Sequence, residues 1–423
     1  MKNLIEIQQM LAGQWSGINS RDLVNDATGS LLNDPGDWDP PRGITPRIKT
    51  IPLAIGIPDG ASLPKEELSQ LASKVITRPG EAAFVYGFGV GYRALRAQLA
   101  QKYTADRGLE VNEEWFQLCN GSSGAIDLVC RTLVQPGDVI ITEAPTYMGT
   151  LRNFKAVQAD IRAVPMDKDG LLIPDLEAAI QQALATGKTI KFIYTISTFQ
   201  NPTGATLSRK RRIELLKLAA KYKILILDDD AYGDLYFDQR PPESLTSLSG
   251  GYGVLTVGTF SKTIATGLRI GWIHGHPSLI GLFGKMRFAM GLNQMMVRII
   301  SAYIEDGYLE HHGKLVRSIY REKMETLANA LDRHAADFID YDRPQGGFYL
   351  WIRLKNGIKA QDLWRTAAEE GVGFTQGINF FPNRVDPEQH IRIAFPWTQL
   401  SQMEEAATRF GRACARVSKG DIA

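Results

Sequence analysis

Lys262 stands in the Ser/Thr/Gly-rich run GTFSKTIATGLRIGW (258–272), directly after a continuously apolar stretch. Open α/β sheets bind their ligands beyond the carboxyl ends of strands. A lysine there that becomes neutral can form an imine with an aldehyde. Thr259, Ser261 and Arg269 surround it with donors suited to phosphate, and the arginine offers a planar fork. Taken alone, the run also reads as a surface loop with a solvated lysine. A second concentration of chemistry is ILILDDDAYGDLYF (224–237), where an apolar run leads into three aspartates. Adjacent carboxylates repel unless something cationic or protonated uses one of them. Asp229 and Tyr232 have the spacing D-x-x-Y. A carboxylate aimed at a pyridine nitrogen keeps it protonated, so the ring can withdraw electrons. The tyrosine hydroxyl could bond a ring oxygen. A metal-binding acidic cluster or a solvated strand end are the alternatives, and no His or Cys stands at ligand spacing to favour metal.

Three further segments carry weaker signals. FQNPTG (199–204) is a turn that would present the Asn201 amide at a strand end, although an ordinary turn explains it equally. NGSSGAIDLV (120–129) opens a helix at Gly121, Ser122 and Ser123, and free N–H groups at a helix start suit phosphate. EAPTY (143–147) places Tyr147 where its face could stack on a flat ring, or simply pack in the core. In HIRIAF (390–395), Arg392 lies between apolar neighbours. A charge so placed is costly unless paired, by a substrate carboxylate or by an internal salt bridge. His274 and His276 read as strand-end residues and His311-His312 as surface positions on a helix. The run Arg209 to Arg212 reads as a solvated helix start.

These residues need a layered scaffold to meet. From about residue 90, short apolar runs alternate with helical patterns. DVIIT (138–142), KFIYTI (191–196), ILILD (224–228), VLTVG (254–258) and RIGWIH (269–274) read as strands. Helices are expected from about Ser122 to Val134, and from about Arg209 to Tyr222 with Ser208 as N-cap. This order predicts an α/β domain with a mainly parallel central sheet. Beyond about residue 300, long helices and the runs PQGGFYLWIRL and HIRIAF predict a small α+β domain. Residues 1–50 are polar and, around NDPGDWDPPRGITPR, dense in Pro, Gly and Asp, so an irregular arm is expected there. The expected division is an arm over 1–50, a large domain over 51–300 whose first part could join the small one, and a small domain over 301–423.

The bulk numbers bound the partners. The chain has 423 residues, too many for one compact core, and a net charge of +2, which offers no electrostatic case for nucleic acid or an anionic membrane. Cys119, Cys130 and Cys414 are three in number with no CxxC spacing, which points to a reducing cytoplasm rather than a disulfide framework. No apolar run approaches the roughly 20 residues of a membrane span, and the N-terminus lacks a signal-peptide layout.

Together and in this order, TFSK, NPTG and D-x-A-Y resemble the class I/II aminotransferases of fold type I, which depend on pyridoxal 5′-phosphate (PLP). The resemblance spans roughly residues 51–410 and is nearest the branch of 2-aminoadipate aminotransferases and MocR effector domains. It implies a large PLP domain, a small domain and a homodimer with sites at its interface. It further implies that Lys262 is the Schiff-base lysine and proton shuttle, and that Asp229 pairs with the pyridine nitrogen. Asn201 and Tyr232 would bond the ring oxygen and Tyr147 would stack on the ring. Ser122, Ser123, Ser261 and Arg269 would hold the phosphate. VYGFGVGYRALR is similar to the family's Y-x-x-x-x-G-x-x-x-L-R segment, so Tyr86 would reach the partner subunit's phosphate. Arg392 would take the substrate α-carboxylate, helped by backbone at Gly56 in IGIPDG. No metal is implied. Ser123 and Gly124 stand where relatives often have Gln, and residues 1–45 have no counterpart; both bear on substrate choice. The expected reaction is ping-pong transamination between an L-amino acid and a 2-oxo acid. Elimination, substitution, cyclisation or oxidation on the same scaffold would use the same cofactor residues. A ligand-sensing module related to MocR regulators is disfavoured, because no winged-helix segment precedes the motifs.

Overall fold

The five apolar runs named above become strands of one eight-stranded sheet. The computed structural model describes residues 2–31, 41, 43–78, 80–87, 89–287 and 291–422. Its large sheet contains β1 (Phe116–Cys119), β2 (Val139–Ala144), β3 (Asp160–Asp167), β4 (Gly170–Leu171), β5 (Ile190–Thr195), β6 (Leu225–Asp229), β7 (Val254–Thr259) and β8 (Gly271–His274). Their spatial order is β1-β8-β7-β6-β5-β2-β3-β4. Strands β7, β6, β5, β2 and β3 are parallel to their neighbours in that run. Strand β8 runs antiparallel to both β7 and β1. The 260–270 segment between β7 and β8 is too short for the crossover that a parallel pair requires. That segment is the Lys262 loop, so the lysine sits where the chain reverses at a carboxyl strand end.

Phe192, Ile193, Tyr194, Ile226, Leu227, Leu255 and Val257 are fully buried, as expected of central strands covered on both faces. Helices Gly121–Leu133 and Arg209–Tyr222 flank the sheet, and Ser208 caps the second by accepting from the Arg211 N–H. Of the Arg209–Arg212 run, Arg209 and Lys210 are exposed as expected of a solvated face, but Arg212 is not. Arg212 is wholly buried, donating Nη2 to Ser197 O and Thr198 Oγ1, each at 2.8 Å, and Nε to Leu207 O at 2.8 Å. Those bonds offset the loss of hydration that would otherwise forbid the site.

The C-terminal region forms a second sheet from β9 (Ile339–Tyr341), β10 (Tyr349–Leu354), β11 (Thr375–Gln376) and β12 (His390–Ala394), ordered β9-β10-β12-β11 and antiparallel throughout. The helices Tyr308–His334 and Met403–Ser418 pack together in this region. His312 is buried rather than on the surface. It begins an inward stripe with Val316, Tyr320, Lys323 and Leu327, at helical spacing. Residues 51–54 attach to this region through Ile51 N–H to Gly371 O at 2.9 Å and Ala394 N–H to Leu53 O at 2.7 Å. The following IGIPDG loop is thereby carried toward the large sheet.

The expectation of an irregular residue 1–50 segment is corrected in part. Lys2–Trp15 and Asp26–Leu31 are α-helices and Ser20–Leu23 is a 3-10 helix. The first stretch has no proline, and Leu4, Ile7, Leu11 and Trp15 recur at helical spacing, which outweighs its polarity. Most of the Pro/Gly-rich segment, residues 32–40 and 42, lies outside the described residues.

Candidate active site

Strand β6 ends on Asp228 and Asp229, whose successive side chains point to opposite faces, and Asp230 follows directly after it. Asp229 is 5 % exposed. Its Oδ2 accepts the Tyr194 hydroxyl at 2.9 Å, and Tyr194 lies 3.1 Å from Thr150 Oγ1. Its Oδ1 is buried with no partner. Burial pushes the Asp229 carboxyl up to about 7, the Asp228 and Asp230 charges add to the rise, and Tyr194 and Lys262 oppose it. Asp228 accepts from Ser197 N–H at 3.4 Å, and burial likewise raises its carboxyl while the Arg212 charge opposes. Asp230 pairs with the enclosed guanidinium of Arg107. Asp229 shares its surroundings with Lys262 and Tyr232, whose charges act on or feel its own.

Lys262 Nζ donates to Gly56 O at 2.8 Å, joining the large sheet to the IGIPDG loop. Behind the lysine, Thr259 Oγ1 bonds Ser261 Oγ at 2.9 Å and accepts the Ser261 N–H at 3.0 Å. Arg269, in the left-handed region at φ 54°, reaches Ser261 Oγ at 3.4 Å and Asn120 O at 3.1 Å. Its guanidinium thus lies against the start of the Gly121–Leu133 helix. Gly121 has φ +73°, and a Cβ there would stand 2.6 Å from Arg269 Nη2. The absent side chain leaves a cradle walled by the helix N-terminus, Ser261 and Arg269. Ser122 is half-buried beside it and Ser123 is exposed.

Asn201 joins this centre to the small sheet. Its Oδ1 accepts from Arg392 Nη1 at 3.0 Å, and its Nδ2 donates to the Tyr349 hydroxyl at 3.4 Å. The Tyr349 hydroxyl is also 2.9 Å from that of Tyr232. Arg392 is 2 % exposed. Its remaining bonds go to Ala54 O at 3.0 Å and Thr375 Oγ1 at 3.2 Å, and its Nε is buried without a partner. Among the described residues no carboxylate pairs with it. Tyr147 is half-buried at the start of the Met148–Ala156 helix, its ring lying against Gly149. Tyr86 lies on the surface, 71 % exposed beside Phe84 and Val85.

The family model for aminotransferase class I and II matches residues 48–410. The chain belongs to that family. The aminotransferase is 32% identical over 361 residues to aromatic-amino-acid aminotransferase 1 of Thermococcus litoralis, with 85% of this chain and 86% of that protein covered. It is likewise 32% identical to 2-aminoadipate transaminase of Thermus thermophilus, over 88% and 91% of the two chains. Among solved structures it matches LysN, the α-aminoadipate aminotransferase of Thermus thermophilus complexed with N-(5′-phosphopyridoxyl)-L-leucine. The TM-score is 0.82 at 29% identity, covering 94% of this chain and 98% of that one. The fold is that of the fold type I PLP-dependent transferases, and PLP is the cofactor of this aminotransferase.

The residues present fit that group at both ends. The unpartnered Asp229 Oδ1 suits a protonated ring nitrogen, and the Gly121 cradle with Arg269 suits a phosphate. Two neighbours of the site escaped the sequence reading, Tyr194 and Tyr349. Tyr194 lies within KFIYTI, where it reads as one more apolar strand residue. Tyr349 follows Gly-Gly-Phe in the small sheet, where only the tertiary fold brings it to Asn201.

Proposed function

We propose that the aminotransferase runs ping-pong between an L-amino acid and a 2-oxo acid, with Lys262 moving the proton at Cα. When bound, PLP supplies the carbonyl carbon that receives the amino group and a ring that withdraws electrons from Cα. Asp229 holds the ring nitrogen protonated. Asn201 and Tyr232 donate to the ring oxygen, and Tyr147 covers one ring face. Ser122, Ser123, Ser261 and Arg269 hold the phosphate. Arg392 grips the substrate α-carboxylate with Asn201 and the backbone at Gly56, which orients the Cα–H bond toward Lys262.

Arg392 is the observation that carries this reading. A buried guanidinium with neutral acceptors and an unpartnered Nε is costly until a carboxylate arrives, and every amino acid brings one. The reading includes a homodimer in which Tyr86 reaches the second site. The exposed Phe84, Val85 and Tyr86, at 65 %, 51 % and 71 %, support a covered surface there. It also includes a cytoplasmic location, supported by three buried free thiols. The division into an arm (1–50), a large domain (51–300) and a small domain (301–423) belongs to the same proposal.

The test is to give purified holoenzyme one amino acid at a time. At least one should convert the cofactor to pyridoxamine phosphate with an equal amount of its 2-oxo acid, and a 2-oxo acid should reverse the conversion. Release of ammonia with the cofactor unchanged would contradict transamination.

A further inference from the structure

We propose that Tyr349 is a positioning residue that couples the carboxylate-binding arginine to the two donors at the ring oxygen. The inference rests on the roles given above to Arg392, Asn201 and Tyr232. Tyr349 lies on β10 and is 2 % exposed. Trp351 is directly opposite Arg392 on β12, so Tyr349, two residues before Trp351, projects from the same face as the arginine. The Arg392 guanidinium lies 4.6 Å from the Tyr349 ring centroid and 4.9 Å from that of Phe380. Two aromatic faces therefore hold the cation that has no carboxylate among the described residues.

The hydroxyl closes the circuit. Asn201 binds Arg392 through Oδ1 and Tyr349 through Nδ2. Because a guanidinium only donates, the amide oxygen must face Arg392, and a flipped amide would set its NH2 group against the Arg392 donors. The Tyr349 hydroxyl thus accepts from Asn201 and has its own proton to give. Tyr232, 2.9 Å away, must keep its proton for the ring oxygen, so Tyr349 donates to the Tyr232 oxygen. A hydroxyl that accepts a hydrogen bond becomes a better donor. Tyr349 therefore strengthens the bond by which Tyr232 favours the ionised ring oxygen. The same hydroxyl borders Gly56, whose carbonyl receives Lys262; any side chain at position 56 would collide with it. One residue contacts the carboxylate anchor, both ring-oxygen donors and the lysine's acceptor loop.

The test compares Tyr349→Phe, which removes only the hydroxyl, with Tyr349→Leu, which also removes the ring face. For Tyr349→Phe, the pH midpoint of the holoenzyme's visible band should rise by about 0.4–1 unit, since a weaker bond to the ring oxygen disfavours its anion. The amino-acid KM should rise roughly 3–10-fold as Asn201 loses its anchor. Affinity of the apoenzyme for PLP, titrated by absorbance, should stay within about twofold, because phosphate and ring-nitrogen contacts supply most of it. Tyr349→Leu should raise KM further through loss of the aromatic face against Arg392. A midpoint and KM both unchanged in Tyr349→Phe overturn the inference, with the wild-type transaminating as usual. So does a uniform loss of PLP affinity, melting temperature and kcat with the midpoint fixed, which marks a structural role. A wild-type holoenzyme that no amino acid converts removes the underlying reading and this inference with it.

Discussion

Tyr194 gives its hydroxyl proton to Oδ2 of Asp229 at 2.9 Å and leaves Oδ1 buried without a partner. One oxygen fixes the carboxylate and the other remains for a donor, in surroundings that also hold Lys262 and Tyr232. Asp230 is engaged by Arg107 and Asp228 accepts from the Ser197 N–H. Asp229→Asn should therefore lower kcat/KM by about 3–5 kcal/mol, the scale of breaking one side of a buried ion pair. Asp228→Asn and Asp230→Asn should cost far less in holoenzyme with matched cofactor content. Steady-state kinetics on the three variants decides it, and equal losses at all three would contradict the assignment.

Arg392→Lys keeps the charge and loses the fork that now serves Asn201, Ala54 and Thr375. Amino-acid use should weaken by about 1.5–3 kcal/mol in kcat/KM. PLP affinity and the resting spectrum should hardly change, and amines without a carboxylate should be affected least. Release of PLP, or untouched amino-acid kinetics, would make the residue structural.

Burial also sets a pH dependence. It raises the carboxyls of Asp229 and Glu143 to about 7, against ordinary values of 3.8 and 4.5, and raises Asp228 as well. Between about pH 4 and 7 the native apoprotein thus binds more protons than the unfolded chain. These groups contribute stability that is complete below the unfolded values and is lost as pH rises through the folded ones. A cation on Asp229 reverses its share of that loss. The melting temperature of holoenzyme minus that of apoenzyme should therefore widen from about pH 5 to pH 8. Calorimetry showing a constant or narrowing gap would contradict it.

The sheet, and the placing of several candidate site residues at its carboxyl edge, were legible because they obey local rules. Continuous apolar runs mark β2, β5, β6 and β7, and Ser208 marks a helix start that the structure reproduces. The positions of Lys262, Asp229 and Asn201 are legible because Asp229 ends a buried strand and the other two follow one, where side chains are delivered to a sheet's carboxyl edge. The burial of Arg212 and His312 was not, since a charge run and a histidine pair carry no local mark of which way a helix faces. Tyr349 was hidden for another reason: its partners Asn201 and Tyr232 lie 148 and 117 positions away in the chain.

Complementation tests the homodimer. Tyr86→Phe and Lys262→Ala should each be inactive, and mixing them should form some heterodimers with one intact site. Activity should reappear at up to about half of the wild-type level per heterodimer, one working site in two, or about a quarter for an equal, fully exchanged mixture. Mixtures that stay inactive despite demonstrated subunit exchange would place each site within a single chain.

The central claim is that Lys262 bonds the cofactor, and borohydride reduction of the holoenzyme followed by peptide mapping tests it most directly. The pyridoxyl label should fall on Lys262, in the peptide containing Thr259, Phe260 and Ser261. Lys262→Ala should bind PLP yet retain no label and no turnover. A stable label on any other lysine, or full turnover by Lys262→Ala, would contradict the account.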